Sequence, residues 1–300
     1  MDQPVLHTPY VSSNAVGTAR PFTIGLSKLE PRDWIEVDDL LGVYLAEKDR
    51  VTAAFADRVF MAEPDSAKAQ AELLKLLAEH LPARFPQIYR RVGQSIEILP
   101  LGRSVALDGP NTPPLQIAAG LVQEDLVLMR GGEAGWRLGA GSLSFPSSWR
   151  LTEKFGKVMH DIHAPVPGFG EGSRNAQLID RMFDNLRPDH SVLRWNWGIY
   201  EDAALYHPAS SEDMRRFGDE ADIFIRVERQ TLRKLPVSGD IVFSIRIHLN
   251  ALTLLAQQPN GGELAAGLGE QIGALSDTEL AYKGLLDGRD RLLALLAAIR

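Results

Sequence analysis

Three β-runs in the second half constrain this chain more than any other feature. They read "SVLRWNWGIY" from Ser191, "ADIFIRVERQTLRKL" from Ala221 and, after the turn-forming "PVSGD", "IVFSIRIHL" from Ile241. Each is rich in β-branched and aromatic residues, the signature of strands. Upstream, "LQIAAGLVQEDLVLMRGGEAGWRLGAGSLSFP" reads as two more β-runs around the turn "RGGEAG". Helical stretches are expected between the two sets, from Ser148 to Met159 and from Ala176 to Leu186. From Leu115 to Leu249 the order is therefore two strands, helices, three strands, which places the chain in the α+β class.

That order resembles a PAS-like fold: a five-stranded antiparallel sheet with helices across one face and a ligand pocket between them. The flanks are expected to add helices. Residues 1–22 read as an arm, and Leu29 to about Pro100 as mainly helical. Within it "SAKAQAELLKLLAEHLP" puts Leu73, Leu74, Leu77 and Leu81 on one face behind a cap at Asp65 or Ser66. "GRSVALDGPNTPP" reads as loop. Ser276 and Glu279 form a capping-box pattern before a helical end. The expected division is residues 1–110 as an arm and helical region packing on the core, 111–250 as the PAS-like domain, and 251–300 as C-terminal helices.

Composition excludes several functions. The 300 residues carry a net charge of −7, which argues against nucleic acid as a partner, since phosphate contacts need clustered Lys and Arg. Cysteine is absent, so disulfides, Cys-ligated zinc, Fe–S clusters and thiol catalysis are excluded. The N-terminus lacks the basic start and apolar run of a signal peptide, and no stretch approaches the ~20 apolar residues of a membrane span. The expectation is a cytoplasmic protein without membrane contact. "LGAGS" lies inside a β-run with no helix after it, so it is not a dinucleotide fingerprint. There is no GxxxxGK[ST], HExxH or GxSxG. The chain shows no recognisable site of its own for NAD(P)H, flavin or ATP.

Among the seven histidines, His80 reads as the end of a helix, where a cation suits the dipole. His7 falls in the arm, His190 and His207 in turn-like contexts, and His248 in a strand. His160 and His163 fall in "MHDIHAPVPGFGE" and share a helical face if the helix extends that far. Two readings stand: a surface or core pair, or one imidazole on a metal. Zinc would want a third ligand nearby, and none is evident; a haem needs only one from the protein. Pro165 biases Ala164 away from the αR region, so the helix should end by His163. Pro167 and Gly168 then make a sharp exit, leaving a histidine there few alternative positions.

At these residues the chain resembles a known family, the haem-binding (alpha) subunit of haem-dependent oxidative N-demethylase. The matching segments are "PFTIGLSKLEPRDWIEVDD", "FPSSWRLTEKFGKVMHDIHAPVPG", "LRWNWGIY" and "RVERQTLRKLPVSGDIVFSIRIHL", in that order from Pro21 to Leu249. The resemblance implies haem b in a PAS-like fold. It also implies oxidative removal of a methyl from a small secondary amine such as dimethylamine, giving the primary amine and formaldehyde. Electrons would come from NADPH through a separate flavin-containing reductase subunit, and a folate-binding partner would capture formaldehyde. Where the family pattern carries Cys ahead of "FPSSW", this chain has Ser144.

Residue by residue, His163 matches "IHAPVPG" and is the expected iron ligand, with His160 the runner-up. In the long run from Ile223, Val227, Arg229, Thr231 and Arg233 share one face; Arg226, Glu228 and Gln230 share the other. Arg229 and Arg233 are expected to grip the haem propionates through their forked donors, with Arg194 a third candidate and Gln230 beside the cofactor. An exposed basic strand edge is the alternative reading of the two arginines. Trp195 and Trp197 face one side with Asn196 opposite; aromatic rings there flank a porphyrin, cage a protonated amine or simply fill a core. Glu228, Trp197 and Asn196 are the expected catalytic group, Glu228 pairing with the amine only if its face is the pocket face. A haem-PAS sensor and a non-haem binding module are the competing functions.

Overall fold

The computed structural model describes residue 22, residues 24–209 and residues 222–300. The expected arm, Phe22 apart, lies outside the described residues. The last three β-runs form β8 (Ser191–Tyr200), β9 (Phe224–Lys234) and β10 (Ile241–Ala251), and the earlier pair β6 (Asp125–Arg130) and β7 (Arg137–Ser142). They pair antiparallel in the order β8-β9-β10-β6-β7. The sheet has seven strands rather than five, because the N-terminal region supplies an edge on each side. β1 (Ser27–Leu29) pairs with β8, Ser27 opposite Leu193, and β2 (Phe60–Ala62) pairs with β7, Phe60 opposite Ser142.

The N-terminal region is helical in α1 (Leu41–Val59) and α2 (Ala67–Arg84). Leu73, Leu74, Leu77 and Leu81 of α2 are buried, each adding about 1.5–3 kcal/mol of burial. Three expectations need correction. A second sheet, β3 (Tyr89–Val92), β4 (Ser95–Ile98) and β5 (Arg103–Ala106), occupies ground read as helix and loop. Its strands are four residues long and β3 is exposed beyond Tyr89, so the alternation in β4 and β5 has too few repeats to stand out. "LQIAAG" forms α3 (Pro114–Ala119), because Pro114 is pre-shaped for a first helical turn and needs no N–H there. His80 lies inside α2, its ring 5.6 Å from Trp34. Burial there pushes its pKa down to about 4, so it is neutral rather than a dipole-capping cation.

Between β7 and β8 run α4 (Leu151–Lys154), α5 (Met159–His163) and α6 (Arg174–Asn185). α6 is capped by Ser173, whose hydroxyl accepts from Ala176 N at 3.1 Å. α5 ends at His163 as expected, but not because Ala164 is extended: Ala164 has φ −51° and ψ −37°, still αR. The helix stops because Pro165 has no N–H to donate back. Gly168 then takes φ +79°, a left-handed turn that favours glycine.

The sheet is covered on both faces. α4, α5 and α6 lie over one. The other is covered by α2 and α3 at the β6 end and, at the β8 end, by α7 (Gly261–Gly273), α8 (Asp277–Tyr282) and α9 (Arg289–Ala297). α8 carries the anticipated capping box of Ser276 and Glu279. The β8–β9 register runs without a bulge from Val192–Leu232 to Tyr200–Phe224. Alternation along β9 therefore holds throughout, and its two sets of side chains go to opposite faces.

Candidate functional site

Under α4, α5 and α6 the sheet leaves a cavity of about 250 Å³, lined by residues of all three helices. Most of its wall is apolar: Met129, Ile162, Phe169, Phe183, Phe243 and Ile245. One corner is polar, formed by Lys154, Arg194, Asn196, Glu228, Gln230 and Lys283. Strand register assembles half of that corner. Arg194 faces Gln230 across the ladder and Asn196 faces Glu228. Arg194 Nη1 donates to Gln230 Oε1 at 2.7 Å, and Gln230 Nε2 donates to Glu228 Oε2 at 2.7 Å. Asn196 Nδ2 donates to Glu228 Oε1 at 3.2 Å. Both carboxylate oxygens of this buried glutamate are thus held by amides, which fixes its direction.

His163 enters the cavity from the last turn of α5. Its Nδ1 stands 3.0 Å from the Met159 carbonyl oxygen. A carbonyl only accepts, so Nδ1 carries the proton and Nε2 keeps its lone pair. Burial is the main force on its acidity and pushes the pKa down to about 4, so the ring is neutral at physiological pH. A neutral imidazole whose other nitrogen donates to a backbone carbonyl is the state in which histidine ligates a metal. His160 is placed differently. Its Nε2 pairs with Asp161 at 3.3 Å on a half-exposed side chain, and it does not line the cavity. Among the described residues no group of three or more His, Cys, Asp or Glu is arranged to hold a metal ion.

The structure brings together five of the residues singled out from sequence: His163, Arg194, Asn196, Glu228 and Gln230. It sends the other three away. Arg229 Nε pairs with Glu36 at 3.0 Å, Nη1 donates to Trp34 O at 3.1 Å and Nη2 donates to Asp33 O. Arg233 lies over the Trp34 ring, 4.4 Å from its centre. These two arginines strap residues 33–36 to the far face, so the propionate role expected of them does not fit. Trp197 is buried with Ile199, Val227 and the C-terminal helices, its Nε1 donating to Gln271 at 2.9 Å. It belongs to the core, and the amine cage expected of it is absent from the cavity. Arg226 shares the cavity face of β9 but is spent on structure: it donates to Ser147 Oγ at 2.8 Å and to the carbonyls of Phe145, Pro146, Ala204 and Leu205.

Three residues escaped the sequence reading. Lys154 ends α4, and Tyr282 and Lys283 come from and just after α8. Lys283 Nζ donates to Trp197 O at 2.6 Å, an edge carbonyl of β8 beyond the reach of β1. Burial pushes the pKa of Lys154 and of Lys283 down to about 8, against the attraction of Glu228. No local pattern marks them, because they meet Glu228 only through the fold.

The cavity is thus an apolar chamber entered by one neutral imidazole, with Lys154, Arg194 and Lys283 in its polar lining. Over residues 25–293 the chain matches the family model described as haem-dependent oxidative N-demethylase, alpha subunit-like, and it belongs to that family. The family description carries haem dependence, an oxidoreductase chemistry and, through the term alpha subunit, the existence of other subunits. Among the described residues no helix is long and apolar enough to cross a membrane.

Proposed function

We propose that this chain is the haem-binding catalytic subunit of an oxidative N-demethylase acting on a small secondary amine such as dimethylamine. The observation that carries the reading is His163: neutral, oriented by Met159 O, with an Nε2 that has no partner among the described residues, in a largely apolar cavity. The donor set fits a haem. His163 would ligate the iron, and Arg194 and Lys283 would meet the propionates. With no cysteine for thioether attachment, the group would be a non-covalently held haem b. The central strand order β8-β9-β10-β6-β7 supports a PAS-like core, with β1 and β2 as edge additions.

Haem, when bound, supplies the oxidising chemistry. The chain's own residues do the rest. Glu228, fixed by Asn196 and Gln230, accepts hydrogen bonds from the amine nitrogen and takes up its proton before oxidation. The apolar wall accommodates the methyl groups and keeps bulk water from the reacting carbon. Electrons come from NADPH through a separate flavin reductase subunit, and a folate-binding partner collects formaldehyde; the alpha-subunit description supports further subunits without naming them. The test is turnover of haem-loaded protein with dimethylamine, oxygen and a flavin reductase fed by NADPH. Formaldehyde and methylamine released in equal amounts support the reading. A haem-loaded protein that binds dimethylamine and releases neither refutes it.

A further inference from the structure

Three lysines of this chain are desolvated enough that burial pushes each pKa down to about 8: Lys48, Lys154 and Lys283. Their surroundings differ in a way that matters for reactivity. Lys48 Nζ donates to Ala119 O at 3.2 Å and to Glu124 O, and it faces Asp125 at 3.9 Å. Lys283 Nζ donates to Trp197 O at 2.6 Å and lies 4.6 Å from the Trp197 ring centre. Each nitrogen has at least one acceptor that stabilises the ammonium: two carbonyls and a carboxylate for Lys48, one carbonyl for Lys283. Lys154 has no hydrogen-bond acceptor among the described residues. Its Nζ sits 4.6 Å from the centre of the Trp149 ring and lines the main cavity. A cation–π contact gives the N–H groups no acceptor, and a half-buried ammonium so placed loses its proton more readily than one locked to carbonyls. The carboxylates acting on it are Glu228 across the cavity and Glu153 beside it, with Lys157 opposing them.

We propose that Lys154 is a carbonyl-capture site, whose amine adds reversibly to a small aldehyde in the cavity. The source of that aldehyde rests on the demethylase reading; the capture itself does not. In the step, the ammonium first gives a proton to solvent. The nitrogen lone pair then attacks the aldehyde carbon and a C–N bond forms. The carbonyl π electrons move to oxygen, which takes the second nitrogen proton, giving a carbinolamine. Loss of water gives the imine, and hydrolysis reverses both steps, so no oxidant or reductant is consumed. Desolvated lysines in apolar pockets are suited to this addition. The site would hold one equivalent of formaldehyde where it is formed until an acceptor collects it.

The test is reductive trapping on the full chain. Protein is mixed at neutral pH with one equivalent of ¹³C-formaldehyde and cyanoborohydride, and the methyl mark is located by peptide mass mapping over time. A drop in pKa from 10.5 to about 8 raises the free-amine fraction on the order of a hundredfold. Allowing for lower intrinsic nucleophilicity and restricted access, Lys154 should label roughly tenfold faster than exposed Lys68, and ahead of Lys48 and Lys283. In Lys154→Arg, which keeps the charge, the fast-labelled fraction should vanish. Label scattered over exposed lysines with Lys154 unmarked overturns the proposal, and so does unchanged labelling in Lys154→Arg. Because the aldehyde is added, turnover is not needed. Labelling at Lys154 in a protein that never demethylates an amine would leave the capture site standing and remove the demethylase reading.

Discussion

Replacing Arg229 by Leu separates two roles that the sequence alone leaves together. The side chain is buried and makes an ion pair with Glu36 and hydrogen bonds to the carbonyls of Asp33 and Trp34. Removing one partner of a buried pair costs about 3–5 kcal/mol. Glu36 keeps 31% of its side-chain surface in water and retains His248 at 3.1 Å, so its share is small. Two carbonyls left without donors add about 1–3 kcal/mol each. The expected loss is about 3 kcal/mol or more. Urea unfolding followed by tryptophan fluorescence measures it, with Trp34 reporting on the strap directly. In the same preparation a haem titration should give an affinity within threefold of the parent, because Arg229 and the cavity lie on opposite faces of the sheet. Parent-like stability with haem affinity lowered tenfold or more would refute the reasoning and return Arg229 to the propionates.

Other perturbations follow from the same geometry. His163→Gly should abolish or transform the ferric haem absorption spectrum, with added imidazole restoring part of it, while His160→Ala leaves the spectrum intact; the reverse outcome would exchange their roles. Arg194→Leu and Lys283→Met should each weaken haem binding about tenfold or more but barely affect binding of the haem dimethyl ester, whose propionates carry no charge; equal losses for both ligands would place the propionates elsewhere. His80 and His163 have folded pKa values of about 4 against about 6.5 when unfolded, so the unfolded chain binds the extra protons. Stability should therefore be level above pH 6.5 and fall by ~1.4 kcal/mol per histidine per pH unit as pH drops toward 4. Urea midpoints measured across that range check it, and His80→Phe should make the slope shallower, with His163 and His248 supplying the remainder.

The long β-runs were legible because period-two alternation and turn residues are local. Their grouping of Glu228 with Gln230, and of Arg229 with Arg233, survives intact in the structure. Which group meets the cavity was not legible, because both faces of this sheet are covered and each set of side chains is buried. A strand with one wet face would have declared itself; β9 has none. His163 could be singled out because the prolines that end its helix are adjacent in sequence. Lys154, Tyr282 and Lys283 had no such marker. They reach Glu228 from chain positions 74, 54 and 55 residues away, and only packing brings them there. The three-stranded sheet was hidden for another reason: strands of four residues with one exposed side carry too few repeats to stand out from loop.

β9 is in effect a two-track strand. Its even-numbered side chains Glu228, Gln230 and Leu232 address the chamber, and odd-numbered ones anchor the backing. Changes at positions 228, 230 and 232 therefore act on the chamber side and leave the strap at Arg229 and Arg233 in place, whereas changes at 229 and 233 act on the backing. The same arrangement makes the strand intolerant of length. A single residue inserted between Val227 and Glu228 would push every later side chain onto the wrong track at once. Arginines would enter the chamber, and a carboxylate would be forced against the carbonyls of residues 33 and 34. Substitutions on one track of this strand should thus disturb that track alone, whereas an insertion or deletion disturbs both together, so variation in this part of the molecule is far more open to spelling than to spacing.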